Sequence, residues 1–136
     1  VVSMVHLARH ADGGVLSIKE IASQEDYPVP YIEKILQALK RAKLVVSVRG
    51  NHGGYKLTRK PSEITLKEVI DALEGGTFEI FCAPKSRTDI VCTHFCLCGI
   101  KPVWRKTKEL LDKFYDSITL EMMMKDEIEV RRIIAA

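Results

Sequence analysis

A mainly α-helical fold is predicted by three observations. Short amphipathic stretches at 1–11, 17–26 and 30–43 are parted by tight turn signals. Two apolar stretches around a glycine-rich tip follow at once, and the positive charge of the chain gathers in the same region. Helix, short helix, turn, helix and two-strand hairpin is the order of a winged helix-turn-helix. A long helix lies beyond it. At 136 residues, 46% hydrophobic and 29% charged, the chain has material for one small domain with an appended element. The expected division is a winged helix-turn-helix DNA-binding domain at 1–76, a cysteine-rich loop at 77–99, and a dimerisation helix with its tail at 100–136.

Each element has a local reason. "VVSMVHLARHA" puts Val1, Val2, Val5, Leu7 and Ala8 on one helical stripe, and "DGG" stops it. Ser17 is an N-cap for "IKEIASQED", with Glu20 three residues on completing a capping box. Tyr27 to Pro30 forms a turn, and Pro30 suits the first turn of "YIEKILQALKRAK". In that helix Ile32, Ile35, Leu36 and Leu39 form the expected buried stripe. Tyr31, Glu33, Lys34, Gln37, Lys40 and Arg41 are left towards solvent or a partner.

Val45, Val46 and Val48 favour one strand, Tyr55 and Leu57 a second. "RGNHGG" between them reads as a tip whose three glycines can take positive φ. Thr65 with Glu68 caps a helix that Gly75–Gly76 end. Residues 77–99 show no period and read as a loop. From Ile100 to Ile118 a long helix carries Ile100, Val103, Trp104, Leu111, Phe114 and Ile118 at intervals of three and four. Such a side must be buried somewhere, which suggests pairing of two copies. The tail is expected to hold one short helix and then fray.

Charge narrows the function. Residues 31–60 hold eight basic residues against one acid, while the other 106 hold thirteen basic and seventeen acidic groups. A basic segment in an otherwise acidic chain suggests a polyanion partner at that place. A helix exposing Lys34, Gln37, Lys40 and Arg41 can enter a DNA major groove, which admits one α-helix. The first turn near Ser17 and Lys19 offers backbone N–H groups to a phosphate. The glycine tip, with Gly53 and Gly54, brings Arg49, Asn51 and His52 close to the duplex. Glu33, the lone acid, can accept from a cytosine amino group or form a surface salt bridge with Lys34 or Lys40.

Other classes find less support. There is no paired acid and base, no nucleotide-binding loop and no nucleophile beside a base, so an enzyme is not expected. No apolar run reaches the roughly 18–20 residues that cross a bilayer. No secretory signal is read in the first eleven residues, and a reducing cytoplasm is the expected compartment. Since residue 1 is not Met, further residues are expected upstream of it.

Four cysteines fall in the loop: Cys82, then Cys92, Cys96 and Cys98 around His94. Thiolates grouped in a reducing compartment point to a metal or a redox centre. An iron–sulfur cluster held by thiolates is one reading. Zinc on Cys92, His94, Cys96 and Cys98 would need one-residue gaps, tighter than usual. A thiol/disulfide switch, with Cys96 as an oxidisable thiol, and inert thiols are the other readings.

Three stretches carry a family likeness: "YIEKILQALKRAKLVVSVRGNHGGYKL", "EVIDALEG", and the run from Cys92 through Cys98 to Val103–Trp104. The chain resembles the Rrf-two family of bacterial transcriptional regulators from Val1 to about Met124. That family includes iron–sulfur sensors (IscR- and NsrR-like) and cluster-free, CymR-like repressors. The resemblance implies a homodimer joined through the long C-terminal helix and bound to a pseudo-palindromic double-stranded DNA operator, controlling genes such as those for cluster assembly. It also implies about ten residues before Val1. It places DNA contacts at Pro30, Tyr31, Glu33 and Lys34 and at Arg49 with the glycine tip. It places cluster ligands at Cys82, Cys92 and Cys98. Nine residues separate Cys82 from Cys92 where the family has five, and Lys101 stands where IscR-like members have a histidine. The fourth ligand stays open between Cys96 and His94, with Asp89 behind them, and the cluster stays open between 2Fe–2S and 4Fe–4S. A partner-dependent, cluster-free repressor is the alternative; an iron–sulfur electron carrier stands behind both.

Overall fold

The computed structural model describes residues 1–10, 12, 14–76 and 98–136. In chain order the elements are α1 (Val2–Arg9), α2 (Ile18–Glu25), α3 (Val29–Arg41), β1 (Val45–Val48), β2 (Gly54–Leu57), a 3₁₀ turn at Pro61–Glu63, α4 (Leu66–Glu74), α5 (Ile100–Ser117), α6 (Leu120–Met123) and α7 (Glu127–Ala135). The order expected for a winged helix-turn-helix is the order found.

Both capping boxes form. Ser17 Oγ accepts from the Glu20 N–H at 3.2 Å, and the Ser17 N–H donates to Glu20 Oε2 at 2.7 Å. Thr65 and Glu68 repeat the exchange at 3.2 and 2.9 Å. Gly75 ends α4 in the left-handed region at φ 77°. Helix α3 ends in a Schellman pattern. The Leu44 N–H donates to the Leu39 carbonyl and the Lys43 N–H to the Lys40 carbonyl, both at 3.0 Å. Lys43 holds the left-handed position at φ 60°, where glycine is usual.

The core is built from one stripe per element: Met4 and Leu7, Ile21, Ile32 with Leu36 and Leu39, Leu44 and Val45, Ile64, Val69 and Leu120. Each large side chain removed from water there contributes roughly 1.5–3 kcal/mol. The α1 stripe differs from the one expected. Ser3, Met4, Leu7 and Ala8 face inward, while Val1 and Val2 are exposed. Five neighbouring apolar residues allow more than one choice of inward face, and packing on α6 and β2 selects one. Ile35 lies at the margin of the core and not within it.

Strands β1 and β2 pair antiparallel, from Val45 opposite Leu57 to Val48 opposite Gly54. The chain before α2 joins them. The Leu16 N–H donates to the Tyr55 carbonyl at 3.0 Å, and the Tyr55 N–H donates back at 2.8 Å. Gly54 is therefore needed for space: a Cβ there would lie 2.2 Å from the Leu16 carbonyl oxygen. Of the tip glycines only Gly50 takes positive φ, at 122°.

The tail departs most from expectation. Helix α5 stops at Ser117, and the chain folds back beside residues 64–66. The Leu66 N–H donates to the Ile118 carbonyl at 2.7 Å and the Leu120 N–H to the Ile64 carbonyl at 3.0 Å. Leu120 is wholly buried in the core, and helix continues to Ala135 where fraying was expected.

Candidate nucleic-acid interface

Helix α3 owes its direction to prolines on either side of its start. Pro28 at φ −59° precedes it and Pro30 lies in its first turn, so few torsions remain free there. With Ile32, Leu36 and Leu39 locked inside, Tyr31, Glu33, Lys34, Gln37, Lys40 and Arg41 are all exposed. Glu33 accepts from Gln37 Nε2 at 3.5 Å, and no ion pair with Lys34 or Lys40 forms. Lys40 turns away: its Nζ donates to Ser47 Oγ of β1 at 2.7 Å, tying α3 to the hairpin. Arg59, counted in the basic segment, is also spent inside the chain, on Glu68 Oε1 at 2.7 Å and the Glu63 carbonyl at 3.0 Å.

The wing tip lies beside the N-terminus of α2. Val15, Ser17, Glu20, Asn51, His52 and Gly53 line one shallow depression between them. Arg49, Asn51 and His52 are exposed. The capping box uses the N–H groups of Ser17 and Glu20, which leaves those of Ile18 and Lys19 at this helix end. The Ser17 N–H and then its hydroxyl hold the Glu20 carboxyl below its ordinary pKa, so a negative charge sits beside the expected phosphate position. Gly53 and Gly54, read from the sequence as DNA contacts, are half-buried and serve backbone packing.

Of the cysteine set, Cys98 lies within the described residues. It is half-buried, one residue before the Gly99 N-cap of α5, and its carbonyl accepts from the Lys101 N–H at 3.3 Å. Cys82, Asp89, Cys92, His94 and Cys96 lie outside the described residues.

Helix α5 carries two faces. One packs on α4, where Lys67–Asp71 and Lys108–Asp112 pairs stand at 2.5 and 2.9 Å. Hydrogen bonding to Asp71 raises the pKa of Lys67, and the charges of Asp71, Asp112 and Asp116 add to this against some desolvation. The other face exposes Ile100, Val103, Trp104, Leu110 and Phe114. One interface expectation, Ile118, is corrected here. Leu111 is half-buried on the same stripe, and Leu110, 58% exposed, extends it at its edge. Ile118 is 8% exposed, because the chain folds back at that residue and buries it in its own fold. The spacing of Val103, Leu110 and Phe114 at seven and four carried the signal for Leu110. Tyr27 was also missed; its ring stands 5.2 Å from that of Tyr31 at the entrance to α3.

A short helix and a turn ahead of an exposed polar helix, a hairpin wing and a long helix with an open apolar stripe define a winged-helix transcriptional regulator. The family model Rrf2, described as an iron-dependent transcriptional regulator, matches residues 1–126. The chain belongs to the Rrf2 family. It is 32% identical to the HTH-type transcriptional regulator IscR of Aliivibrio salmonicida over 95% of this chain and 75% of that one. It is 28% identical to the protein rrf2 of Nitratidesulfovibrio vulgaris over 90% and 80%. Among solved structures, T. potens IscR superposes with a TM-score of 0.70 at 36% identity, over 91% of this chain and 79% of that one. CymR, the global cysteine regulator of B. subtilis, does so with a TM-score of 0.72 at 28% identity, over 92% of each. The Aliivibrio salmonicida relative is named a transcriptional regulator and CymR a cysteine regulator, and none of the four is named as an enzyme. Among the described residues no helix is long and apolar enough to cross a membrane.

Proposed function

We propose that this chain is a cytoplasmic homodimeric regulator that binds a pseudo-palindromic DNA operator and couples that binding to an iron–sulfur cluster. The observation that carries the DNA reading is the exposed polar face of α3. Tyr31, Glu33, Lys34, Gln37 and Arg41 stand out from a fully packed helix, and Glu33 is held by no salt bridge among the described residues. A carboxylate without a cation in this segment weakens phosphate attraction, so its place on the outer face of α3 fits a reading of base edges. Pro30 and Tyr31 open the contact. Arg49, Asn51 and His52 meet the adjoining backbone or minor groove, and the Ile18 and Lys19 N–H groups, with the Lys19 side chain, face a phosphate beside Ser17.

Two copies meet through the open face of α5, with Ile100, Val103, Trp104, Leu110 and Phe114 against their counterparts. Cys82, Cys92 and Cys98, with Cys96 or His94 as fourth ligand, hold the cluster. This donor set of thiolates and an imidazole suits iron–sulfur ligation and not a hard cation. When bound, the cluster supplies a centre whose loss or oxidation reports iron, oxygen or nitric oxide. The chain's own part is mechanical. Cys98 adjoins the first turn of α5, and α5 is held to α4 by Lys67 and Asp112 neighbours and to the core through Ile118 and Leu120. Tethering residues 77–99 therefore fixes the end of α5 and biases how two α3 helices are spaced.

Selection of duplexes from a random pool, followed by a salt series, tests the DNA reading. Affinity must fall steeply with salt, and a scrambled duplex must bind more weakly. Protein purified without oxygen, with iron and sulfide counts, tests the cluster; Cys92→Ala with Cys98→Ala should remove visible absorbance and change operator affinity. The CymR likeness over 92% of both chains supports a second reading, a cluster-free repressor. Colourless, iron-free protein that still discriminates operators would favour it.

A further inference from the structure

Tyr27 stands in the turn between α2 and α3, outside the residues assigned above to DNA. Its N–H donates to the Ala22 carbonyl at 3.2 Å, which closes α2, and Asp26 before it takes the left-handed conformation at φ 54°. Pro28 follows directly. The backbone that carries the ring is thus fixed from both sides. Yet Tyr27 as a whole is 53% exposed and takes no part in the core cluster. Its aromatic neighbour is Tyr31, 5.2 Å away between centroids and tilted by 43°.

Tyr31 is also half out in solvent, one turn into α3, where its N–H donates to the Pro28 carbonyl at 3.0 Å. Among the described residues neither phenol hydroxyl takes a hydrogen-bond partner. An exposed helical tyrosine ordinarily divides its population among rotamers. A tilted ring at this spacing favours the rotamer that touches it by a factor of about two to ten. A ring that stabilises no core and orders one neighbour has its effect on that neighbour.

We infer that Tyr27 is a positioning residue, which holds the Tyr31 side chain ready for the duplex. The inference rests on Tyr31 meeting DNA, as proposed above. Its ring acts, and its hydroxyl does not.

A double-mutant cycle tests this. The probes are a duplex of about 30 base pairs selected by the wild-type protein from a random pool, and a scrambled copy of it. Tyr27→Ala should weaken the selected duplex about two- to tenfold and leave the scrambled one unchanged, with the melting temperature preserved. Tyr27→Phe should keep wild-type affinity, and Tyr27→Ala should cost nothing more once Tyr31→Ala is present. Undiminished affinity in Tyr27→Ala, an equal loss in Tyr27→Phe, or the same loss in the Tyr31→Ala background would each overturn the inference. If the wild type fails to prefer the selected duplex, or Tyr31→Ala binds it normally, the DNA assignment falls first and the inference with it.

Discussion

Replacing Gly54 with alanine should damage the fold before it touches any ligand. The new Cβ would lie 2.2 Å from the Leu16 carbonyl oxygen, 2.5 Å from its carbon and 2.8 Å from the Ser17 nitrogen. All three are backbone atoms, so no side chain can swing aside. Restoring a carbon–oxygen contact of ordinary length requires β2 to part from residue 16 by about 1 Å. That movement stretches both Leu16–Tyr55 hydrogen bonds, now 3.0 and 2.8 Å. Each is worth about 0.5–1.5 kcal/mol net, and strain from the forced methyl adds about 1–3 kcal/mol. The expected loss is roughly 2–6 kcal/mol, a large part of the 5–15 kcal/mol typical of a domain. Urea unfolding followed by circular dichroism measures it, with an unchanged denaturant slope as the sign that only stability moved. DNA binding should also weaken, because the same strand sets Asn51 and His52 beside Ser17. A variant within 0.5 kcal/mol of wild type that binds DNA poorly would refute this reasoning and return Gly54 to the duplex.

Three further outcomes are expected. Lys43→Gly should raise stability by about 0.5–1 kcal/mol in the same urea titration, since it relieves a left-handed lysine at the α3 Schellman end. Leu120→Ala should lower stability by about 2–5 kcal/mol, because its side chain is wholly enclosed; a loss below 1 kcal/mol would detach the tail from the core. The third concerns acid. Partial burial pushes the Glu68 carboxyl up, but the Thr65 N–H and Arg59 outweigh it and leave the pKa below its ordinary value of 4.5. A depressed carboxylate stabilises the fold above the unfolded pKa and loses that contribution as pH falls through the folded one. Melting temperatures of wild type and Glu68→Gln should therefore differ most near neutral pH and converge below about pH 4.

Short-range grammar made much of this protein readable. Ser17 with Glu20 and Thr65 with Glu68 satisfy helix ends within three residues, so no distant partner is needed to foresee them. The inward face of α3 follows from the spacing of Ile32, Leu36 and Leu39 alone, and the exposed polar set is its complement. The excess of basic residues at 31–60 marks a candidate region for a polyanion, although Arg59 and Lys40 prove to be engaged within the chain. Family membership was legible for the same reason, since its motifs sit in these locally determined segments.

What the sequence by itself determined was the order of elements, their caps and the outward face of α3, because each depends on contacts within a turn or two of helix. Tertiary structure alone decided the rest. Residues 118–120 are bound by backbone groups of residues 64–66, a pairing that no local period announces. The apolar girth of α5 is wide enough to serve two neighbours: one side of the helix packs on α4, and Leu110 is left outside. Gly54 looked like a glycine freed for a partner; the approach of Leu16 makes it a glycine required for space. In all three cases the deciding atoms are distant in the chain, so their positions exist only after folding has brought them together.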